Sequence, residues 1–351
     1  MWRETTKHER NLRIFAEKFD GFLPPAILDF HVHVWNAGVA PPGALFNSGG
    51  CPIKHYDFDD LGQDLREAFP GRETAAVCFG LPDVSYDLKA NNEYIAGHCD
   101  NETYFGLRLF DPQADTPESL RRDLEQGNYL GLKPYPVYAR ASDDATEIRH
   151  MLPDWALEIV NDLHLMVMLH IPRRRRLADP LNQEQLVRIC TRYPNANIIL
   201  AHIGRAYFLK NVVGNLDALR GFSNLYYDLT MLNHWEVMEY TFTKVRPERI
   251  LFGSDIPIAL APGKSVEIND QYTYVTPRPW ALSISDDHGK LEFTSFLYEE
   301  LRAIQKAVQR LGLGDDFVQG VFHGNGMQLL KETLAHRPAS SLRKPQETPS
   351  R

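Results

Sequence analysis

The sequence lacks the features of a membrane-embedded, secreted or nucleic-acid-binding protein. No apolar run approaches the roughly 18 consecutive residues of a transmembrane helix. Residues 1–20 are charged throughout and have no apolar core of a secretion signal. The formal net charge of −8 gives no electrostatic reason to expect a nucleic-acid partner. We therefore expect a cytoplasmic protein that binds neither membranes nor nucleic acids.

Cysteine is also scarce, with four residues at positions 51, 78, 99 and 190 and no CxxC pair. Cys78 lies in an apolar segment and Cys190 in a helical pattern, which favours buried, reduced thiols over a disulfide framework. With 351 residues, of which 43% are hydrophobic, the chain can bury the core of one large barrel or of two smaller domains.

Apolar, strand-like segments alternate with amphipathic, helix-like segments along most of the chain. Continuous apolar strands separated by helices indicate a parallel sheet that is buried on both faces. Eight such units favour an α/β fold of the closed (β/α)8 TIM-barrel type over an open sheet. The predicted strands are 27–35, 75–81, 103–110, 129–136, 165–172, 196–203, 224–230 and 250–257, and the predicted helices are 57–69, 88–98, 117–126, 146–162, 181–193, 207–219, 234–245 and 293–311.

The barrel is predicted over residues 25–335. A helical extension is expected over residues 1–24, and the Pro-, Ser- and charge-rich end, residues 336–351, is expected to be a disordered tail. Two segments fall outside the repeat: a Gly- and Pro-rich loop, 36–54, after the first strand, and a long loop, 258–292, after the eighth. The second loop contains Tyr272, Tyr274, Pro277, Pro279 and Trp280. It fits an aromatic lid over the site and, equally, a loop packed on the surface.

Four of the predicted strands carry a residue near their ends that can bind a metal ion or transfer a proton. His31 and His33 lie two positions apart, so their side chains point to the same face of the strand. Taken alone, such a pair also fits a solvated strand face. His170, His202 and Asp255 follow three other apolar segments. Because the carboxyl ends of all barrel strands open on one rim, these five side chains are predicted to meet there.

These motifs resemble those of the amidohydrolase superfamily. The resemblance is carried by HVH at 31–33, AHIG at 201–204, FGSDIP at 252–257 and HGNG at 323–326, together with the histidine that ends the fifth strand. The sequence is most similar to the amidohydrolase-related group that includes aminocarboxymuconate-semialdehyde decarboxylase. The resemblance covers most of residues 27–330 and implies a TIM barrel of the metal-dependent hydrolase type. It does not specify a substrate.

The resemblance implies that His31, His33, His170 and Asp255 bind one divalent metal ion. Neutral imidazoles and a carboxylate suit Zn²⁺, although Mn²⁺ or Fe²⁺ would also be compatible. The ion would lower the pKa of a water molecule from about 15.7 towards about 7. Asp255 would then take the proton of that water, and His202 would shuttle a proton or polarise the substrate oxygen.

Lys133 ends the predicted fourth strand, and its role is open. In binuclear relatives a lysine at this point is carbamylated and bridges two metals, whereas in the mononuclear group the equivalent residue contacts the substrate. We favour one metal, because a protonated lysine beside the site would also bind an anionic substrate.

Further substrate-binding candidates lie on the same predicted rim. Arg108, Arg173 and Arg205 could hold a carboxylate in a bidentate manner, while the rest of the basic run 173–176 reads as a solvated loop. Trp35 and Tyr135 are candidates that simple packing would explain equally well. Asp228, on the seventh strand, could orient a ligand histidine.

These features predict a metal-dependent hydrolase that attacks a small, carboxylate-bearing lactone, ester or amide with metal-activated water. A non-oxidative decarboxylase would use the same ligands and is the first alternative. A non-catalytic barrel that serves as a binding scaffold is the second, and the complete set of expected ligands disfavours it. The expected partner is a small-molecule substrate. A homodimer stays open, since dimers are common among such barrels.

Overall fold

The computed structural model describes residues 8–281, 283–286 and 288–337. Over this part of the chain, eight parallel strands alternate with helices in a (β/α)8 barrel, as predicted. The third strand is interrupted at Leu107. The barrel strands are β1 (Ala26–His33), β2 (Glu73–Phe79), β3 (Tyr104–Gly106 and Arg108–Phe110), β4 (Gly131–Pro134), β5 (Met166–Leu169), β6 (Asn197–Leu200), β7 (Leu225–Asp228) and β8 (Ile250–Leu251).

The helices include one N-terminal to the barrel and one or more in most strand connections. They are α1 (His8–Ile14, continued by the π-helical turn Phe15–Phe19), α2 (Phe58–Ala68), α3 (Leu88–His98), α4 (Pro117–Gln126), α5 (Asp154–Asp162), α6 (Pro180–Arg192), α7 (Trp235–Lys244), α8 (Phe296–Leu311) and α9 (Asn325–Ala335). Shorter helical segments are Pro136–Ala139, Ile148–Met151, Arg176–Ala178, His202–Arg205, Leu209–Val212, Pro247–Arg249, Ile258–Leu260, Asp315–Gln319 and Gly320–Gly324.

Backbone hydrogen bonds between the first and last strands close the barrel. The Phe30 N–H donates to the Phe252 carbonyl oxygen at 3.0 Å, and the His33 N–H donates to the Ile256 carbonyl oxygen at 2.9 Å. These bonds continue past the end of β8, so the segment after this strand stays against β1. The first and last parts of the barrel therefore meet at its carboxyl rim.

A buried aspartate strengthens this junction. The Asp29 carboxyl group accepts hydrogen bonds from the backbone N–H of Ser254, at 2.8 Å, and from the N–H of His31, at 3.1 Å, and it also bonds the Ser254 hydroxyl. Burial raises the pKa of Asp29 to about 7. Asp29 of β1 thus forms hydrogen bonds with the segment that follows the short strand β8.

The barrel interior is filled by apolar side chains from seven strands and by Leu130, which precedes β4, and helix α9 closes one end. Leu329 and Leu330 of α9 belong to this interior cluster, together with Leu28 and Phe30 of β1. A Cβ atom on Gly326 would lie 2.7 Å from Leu28 Cδ2, so the absence of a side chain favours the close approach of this helix. A second, larger cluster packs between the strands and the surrounding helices.

The eight predicted strands are confirmed, although most end earlier than expected. Two helix predictions need correction. The segment predicted as one helix over 146–162 is split around Pro153, which begins α5 as its N-cap. The helix predicted over 207–219 is wrong beyond Leu209–Val212, and the left-handed Gly214 (φ 75°) follows that short turn.

The two predicted loops contain strands of their own. The segment after β8 is a long insertion, as predicted, and it forms a small sheet. Its strands are Lys264–Ile268, Gln271–Thr276 and Ile284–Ser285. The loop after β1 contains a hairpin, Phe46–Ser48 with Cys51–Ile53.

Cys78 and Cys190 are buried thiols, as predicted. Of the predicted tail, residues 338–351 lie outside the described residues. In the described part of the chain, no helix combines the length and apolar composition needed to cross a membrane.

Candidate active site

An irregularity in β1 turns both histidines of this strand into the barrel. The pairing of β1 with β2 shifts register between Asp29 and Val32. Phe30 and His31 therefore both face the interior although they are adjacent, and His31 packs 5.1 Å from the ring of Phe79, a member of the interior cluster. Bulges of this kind commonly redirect side chains next to active sites. His33 follows on the same face, 4.7 Å from Phe79.

The three buried residues His31, His33 and Asp255 form a compact cluster at the carboxyl rim. Asp255 Oδ1 lies 3.6 Å from His31 Nε2 and 3.2 Å from His33 Nε2. One ligand atom from each residue lies within 4.8 Å of the other two. His31 and His33 lie on the first barrel strand, whereas Asp255 follows the last one. The closure of β8 against β1 brings the three residues together.

Hydrogen bonds on the far sides of the two imidazoles fix where their protons lie. His33 Nδ1 is 3.1 Å from the Gly80 carbonyl oxygen, which can only accept, so Nδ1 carries the proton. His31 Nδ1 is 2.9 Å from Asp228 Oδ2 and donates to it in the same way. Both Nε2 lone pairs therefore point toward the Asp255 carboxylate. Asp228 thus orients His31, as predicted, and the metal-ligand role of this histidine stays a prediction.

These convergent lone pairs fit a cation. Burial lowers the pKa of His31 to about 3, and the nearby Lys133 amine adds to this effect, so the imidazole stays neutral. The pKa of Asp255 lies below its ordinary value, although burial acts to raise it. Asp255 Oδ1 is buried without a hydrogen-bond donor among the described residues. A divalent metal ion would satisfy all three ligand atoms at once.

His202 stands beside this cluster with its ring 5.1 Å from that of His31. Its Nδ1 lies 2.9 Å from the Thr230 carbonyl oxygen and must donate to it, which leaves the Nε2 lone pair free in the neutral ring. Burial lowers the pKa of His202, against the opposing charges of Asp255 and Asp228. His202 is thus a neutral base at neutral pH, suitably placed for proton transfer.

His170 faces the same space but does not join the three converging ligand atoms. Its ring stacks on Tyr135 at 4.4 Å and lies edge-on to His202 at 5.4 Å. Within the described structure its Nδ1 is buried without a hydrogen-bond partner. Burial, followed by the charge of Arg205, holds the pKa of His170 well below its ordinary value. Its role as a metal ligand stays a prediction.

Left-handed backbone conformations are concentrated at this rim. Positive φ angles occur at His202 (56°), Ile203 (50°), Arg205 (58°), Met231 (58°) and Asp255 (73°). Such conformations cost of order 1–3 kcal/mol for residues other than glycine, and they are typical of functional sites. The surrounding structure must hold them in place.

Lys133 reaches the cluster directly. Its Nζ lies 3.2 Å from His31 Nε2 and 4.5 Å above the ring of Phe79, and the side chain is fully buried. Burial lowers the pKa of Lys133 to about 7. The Lys133 amine therefore contacts His31 Nε2, one of the three atoms that could bind a metal ion.

Sequence reasoning missed two rim residues, Arg176 and Tyr207, that connect the inserted sheet to the site. The Arg176 guanidinium lies 4.9 Å from the ring of Tyr207 and 4.4 Å from that of Tyr272. The two tyrosine rings stack at 4.7 Å, and Tyr207 is 5.7 Å from His202. The aromatic residues of the insertion were the one sequence feature that indicated a contact between the inserted sheet and the rim. It did not reveal which arginine of the run 173–176 would stack there.

Arg205 is brought to the same rim. Its guanidinium donates to the Ile171 carbonyl oxygen at 3.1 Å. Its charge opposes the effect of burial on the pKa values of Tyr135 and Tyr207. Arg205 and Tyr135 thus border the space around His170.

Three other predicted substrate residues lie elsewhere. Arg108 points out of the barrel and pairs with carboxylates on its outer side, so its expected place on the rim is wrong. Arg173 is held by Asp179 at 2.9 Å and by the Asp144 carbonyl oxygen. Trp35 is fully buried, and its Nε1–H donates to the Lys54 carbonyl oxygen at 3.3 Å. Each is committed to structural contacts away from the cluster.

Comparison with known protein families and with solved structures points to amidohydrolases in both cases. The sequence profile of the amidohydrolase family matches residues 28–331. An amidohydrolase from Burkholderia multivorans, solved with bound zinc, is 14% identical; the match covers 87% of this chain and 99% of that one, with a TM-score of 0.56. None of the curated proteins compared matches the sequence.

Two further solved structures carry a substrate class in their names. A probable 2-pyrone-4,6-dicarboxylic acid hydrolase from Acinetobacter baumannii, with citric acid bound, is 14% identical over 87% of this chain and 99% of that one, with a TM-score of 0.50. A 2,6-dihydroxybenzoate decarboxylase in complex with 2,6-dihydroxybenzoate is 14% identical over 88% of this chain and 100% of that one, with a TM-score of 0.53. At this identity the likeness shows the barrel fold alone.

Proposed function

Since the chain belongs to the metal-dependent amidohydrolase family, we propose that it is a hydrolase that acts on a small, carboxylate-bearing lactone, ester or amide. The buried cluster of His31, His33 and Asp255 carries this proposal. Its three lone pairs converge on one point, and the two imidazoles are locked in the tautomer that a metal ion requires.

In this proposal the cluster holds a single Zn²⁺ ion, and His170 is the fourth ligand. The unpartnered Nδ1 of His170 and the carboxylate of Asp255 supply the buried polar atoms that such a site needs. When bound, the ion supplies a Lewis acid that lowers the pKa of a water molecule towards about 7. One ion is favoured over two because the Lys133 amine, 3.2 Å from His31 Nε2, could then bind an anionic substrate.

The protein side chains then move the protons. Asp255 is ionised at neutral pH and can accept a proton from the attacking water with its free oxygen. His202, neutral and with Nε2 unprotonated, can carry a proton to the leaving group. Thr230 and Asp228 hold this ring and its backbone in place.

The substrate carboxylate would be held by the cations around the cluster. Lys133 and Arg205 supply positive charge on the side of β4 and of the β6 loop. Tyr135, Tyr207 and Tyr272 supply flat apolar walls that exclude water from the same space. An apolar enclosure strengthens each charged contact inside it.

A non-oxidative decarboxylase is the second candidate, and these aromatic walls favour it. Rings stacked against His170 and Arg176 would accept a planar acid. Both the hydrolase and the decarboxylase among the similar structures are named for carboxylate compounds. In the decarboxylase reading, His202 would protonate the carbon that loses the carboxylate.

A substrate panel separates these candidates. Protein purified without added metal should contain about one equivalent of zinc, and the loaded protein should open lactones or cleave esters or amides that carry a carboxylate. Release of carbon dioxide from aromatic or enoic acids, without any hydrolysis, would identify the decarboxylase. Absence of metal, of a metal-dependent thermal shift and of both activities would instead identify a scaffold.

Two variants test the assigned roles. His170→Asn should lose the metal while the barrel stays folded, because a ligand is removed. His202→Asn should keep the metal and lose turnover, because only proton transfer is affected. Arg173→Gln serves as a control, since this arginine follows His170 by three residues in the sequence but is paired with Asp179. Full metal content and full activity in both histidine variants would refute the assignment.

A further inference from the structure

One peptide group beside the cluster is hydrogen-bonded on both of its sides. This peptide joins Thr230 to Met231 at the end of β7. Its carbonyl oxygen accepts from His202 Nδ1 at 2.9 Å, and its N–H donates to Glu300 Oε2 at 2.8 Å. A single rigid plane therefore connects the Glu300 carboxyl group to the His202 ring.

Glu300 is an unusual residue at this position. It lies on the inner face of α8, fully buried between the apolar side chains of that face, Leu297, Leu301 and Ile304. Its other oxygen, Oε1, has no partner among the described residues. Burial of a polar group is costly unless it forms a specific contact. The bond to the Met231 N–H is the contact that the structure shows.

From this geometry we infer that Glu300 is a positioning residue for His202. Its oxygen fixes the orientation of the 230–231 peptide, so that a carbonyl group, and not an N–H group, faces His202 Nδ1. The inference rests on the proposed function only in assigning His202 the proton-transfer role. The contact itself is independent of the reaction.

The backbone explains why this peptide needs fixing. Met231 has a positive φ of 58°, a conformation that is disfavoured for side chains other than glycine. Without an acceptor at position 300, the Met231 N–H would be buried and unpaired. Rotation of the peptide would relieve both the strained backbone conformation of Met231 and the unpaired state of its N–H. A rotated peptide would present its N–H to His202 and favour the tautomer with the proton on Nε2.

The role depends on hydrogen bonding more than on charge. Burial raises the pKa of Glu300 well above its ordinary range and so favours the neutral form of the side chain. A neutral carboxyl group still accepts a hydrogen bond through one oxygen. An amide in its place would accept in the same way, whereas a side chain without an acceptor would not.

Three variants of the zinc-loaded, full-length protein test this inference. Glu300→Met keeps the length of the side chain and removes the acceptor, while Glu300→Gln keeps an acceptor. Glu299→Met is the matched control, because this neighbour on α8 pairs with Lys264 and not with the β7 loop. The readout is the tautomer of His202, measured by two-bond proton–nitrogen correlation on ¹⁵N-labelled protein and assigned with His202→Asn.

We expect the proton on Nδ1 in the wild type, in Glu300→Gln and in Glu299→Met. In Glu300→Met we expect a mixture of tautomers and exchange of this proton with water at least about ten times faster. An unchanged His202 signal in a folded Glu300→Met variant would overturn the inference. If that variant fails to fold, a wild-type ring protonated on Nε2 would overturn it equally.

Turnover of a substrate from the panel gives a second readout. Glu300→Met should lower kcat by about 10–100-fold, the usual effect of losing an outer hydrogen-bond partner, with KM and zinc content unchanged. Glu300→Gln should restore most of the activity. A panel without any turnover, combined with the expected His202 signals, would refute the proposed function and leave this inference standing.

Discussion

Asp228 holds His31 through one carboxylate oxygen, Oδ2, which lies 2.9 Å from the Nδ1 atom of the imidazole. The other oxygen, Oδ1, accepts the backbone N–H of His202 at 2.5 Å. A single carboxylate at the end of β7 thus sets the position of two histidines from different strands. The two histidines hold the pKa of Asp228 below its ordinary value although burial opposes this, so it remains an anion.

Replacement of Asp228 by Asn should weaken metal binding. The amide cannot supply the negative charge that keeps the His31 proton on Nδ1 and its lone pair on Nε2. We expect zinc affinity to fall by about 10–100-fold, measured by competition with a chelator. Asp123→Asn, which removes a carboxylate paired with Arg108 outside the barrel, should leave the affinity unchanged. Equal affinity in Asp228→Asn and wild type would contradict the role of this carboxylate.

Replacement of Arg176 by Met should loosen the inserted sheet. The variant loses the cation–π contacts with Tyr207 and Tyr272, each worth about 0.5–2 kcal/mol. We expect faster hydrogen–deuterium exchange in the strand Gln271–Thr276 and a higher KM. Arg174→Met is the control, since that side chain is 85% exposed and pairs with Asp144 at the surface. Identical exchange in both variants would show that Arg176 does not anchor the sheet.

Replacement of Gly253 by Ala should disturb the site through crowding. A Cβ atom there would lie 2.5 Å from Thr230 Oγ1 and 2.8 Å from His31 Cβ, contacts that require backbone movement. We expect a loss of about 1–3 kcal/mol in the free energy of unfolding, together with weaker metal binding.

Gly97→Ala is the matched control for this substitution. Gly97 lies in α3, and its new Cβ atom would meet no other described atom within 4 Å outside its own helix and chain neighbours. Because alanine is the better helix former, we expect a gain of about 0.5–1 kcal/mol. Denaturant unfolding measures both variants, and equal stability of Gly253→Ala and wild type would contradict the close approach.

Replacement of Asp29 by Asn should change how stability depends on pH. The pKa of Asp29 is raised to about 7 in the folded protein, above its value in the unfolded chain. The folded state therefore binds the proton more tightly, and this contribution is present at low pH and is lost as pH rises from about 4 to 7.

The asparagine variant cannot titrate and imitates the protonated acid. Compared with wild type, it should gain about 1.4 kcal/mol for each pH unit across this range. Denaturant unfolding at several pH values measures the difference. A difference between the two proteins that does not vary with pH would show that Asp29 ionises with an ordinary pKa.

The sequence was sufficient to predict the barrel and the meeting of its rim residues. Apolar runs separated by amphipathic segments identify parallel strands, and parallel strands of a closed barrel share one rim. The positions of His31, His33 and Asp255 follow from that reasoning. What the alternation cannot reveal is the register shift in β1, which decides that adjacent residues, Phe30 and His31, share the interior face.

The errors arise where side-chain direction or distant packing decides the outcome. Arg108 follows Leu107, which faces the interior, so the alternation of the strand turns the arginine outward to Asp115 and Asp123. Attention to this alternation would have excluded it. The roles of Arg176 and Glu300 could not be read in this way, because their partners come from segments that are remote in sequence.

The bond between Asp29 and Ser254 joins residues that are 225 positions apart. The two histidines of β1 leave the ribosome early, whereas Asp255 emerges only when most of the chain has been made. The nascent chain therefore cannot assemble the His–His–Asp cluster before the last barrel strand docks against the first. Metal binding by these three residues would then indicate that the barrel has finished folding. A truncated chain that ends before β8 would bind the ion poorly.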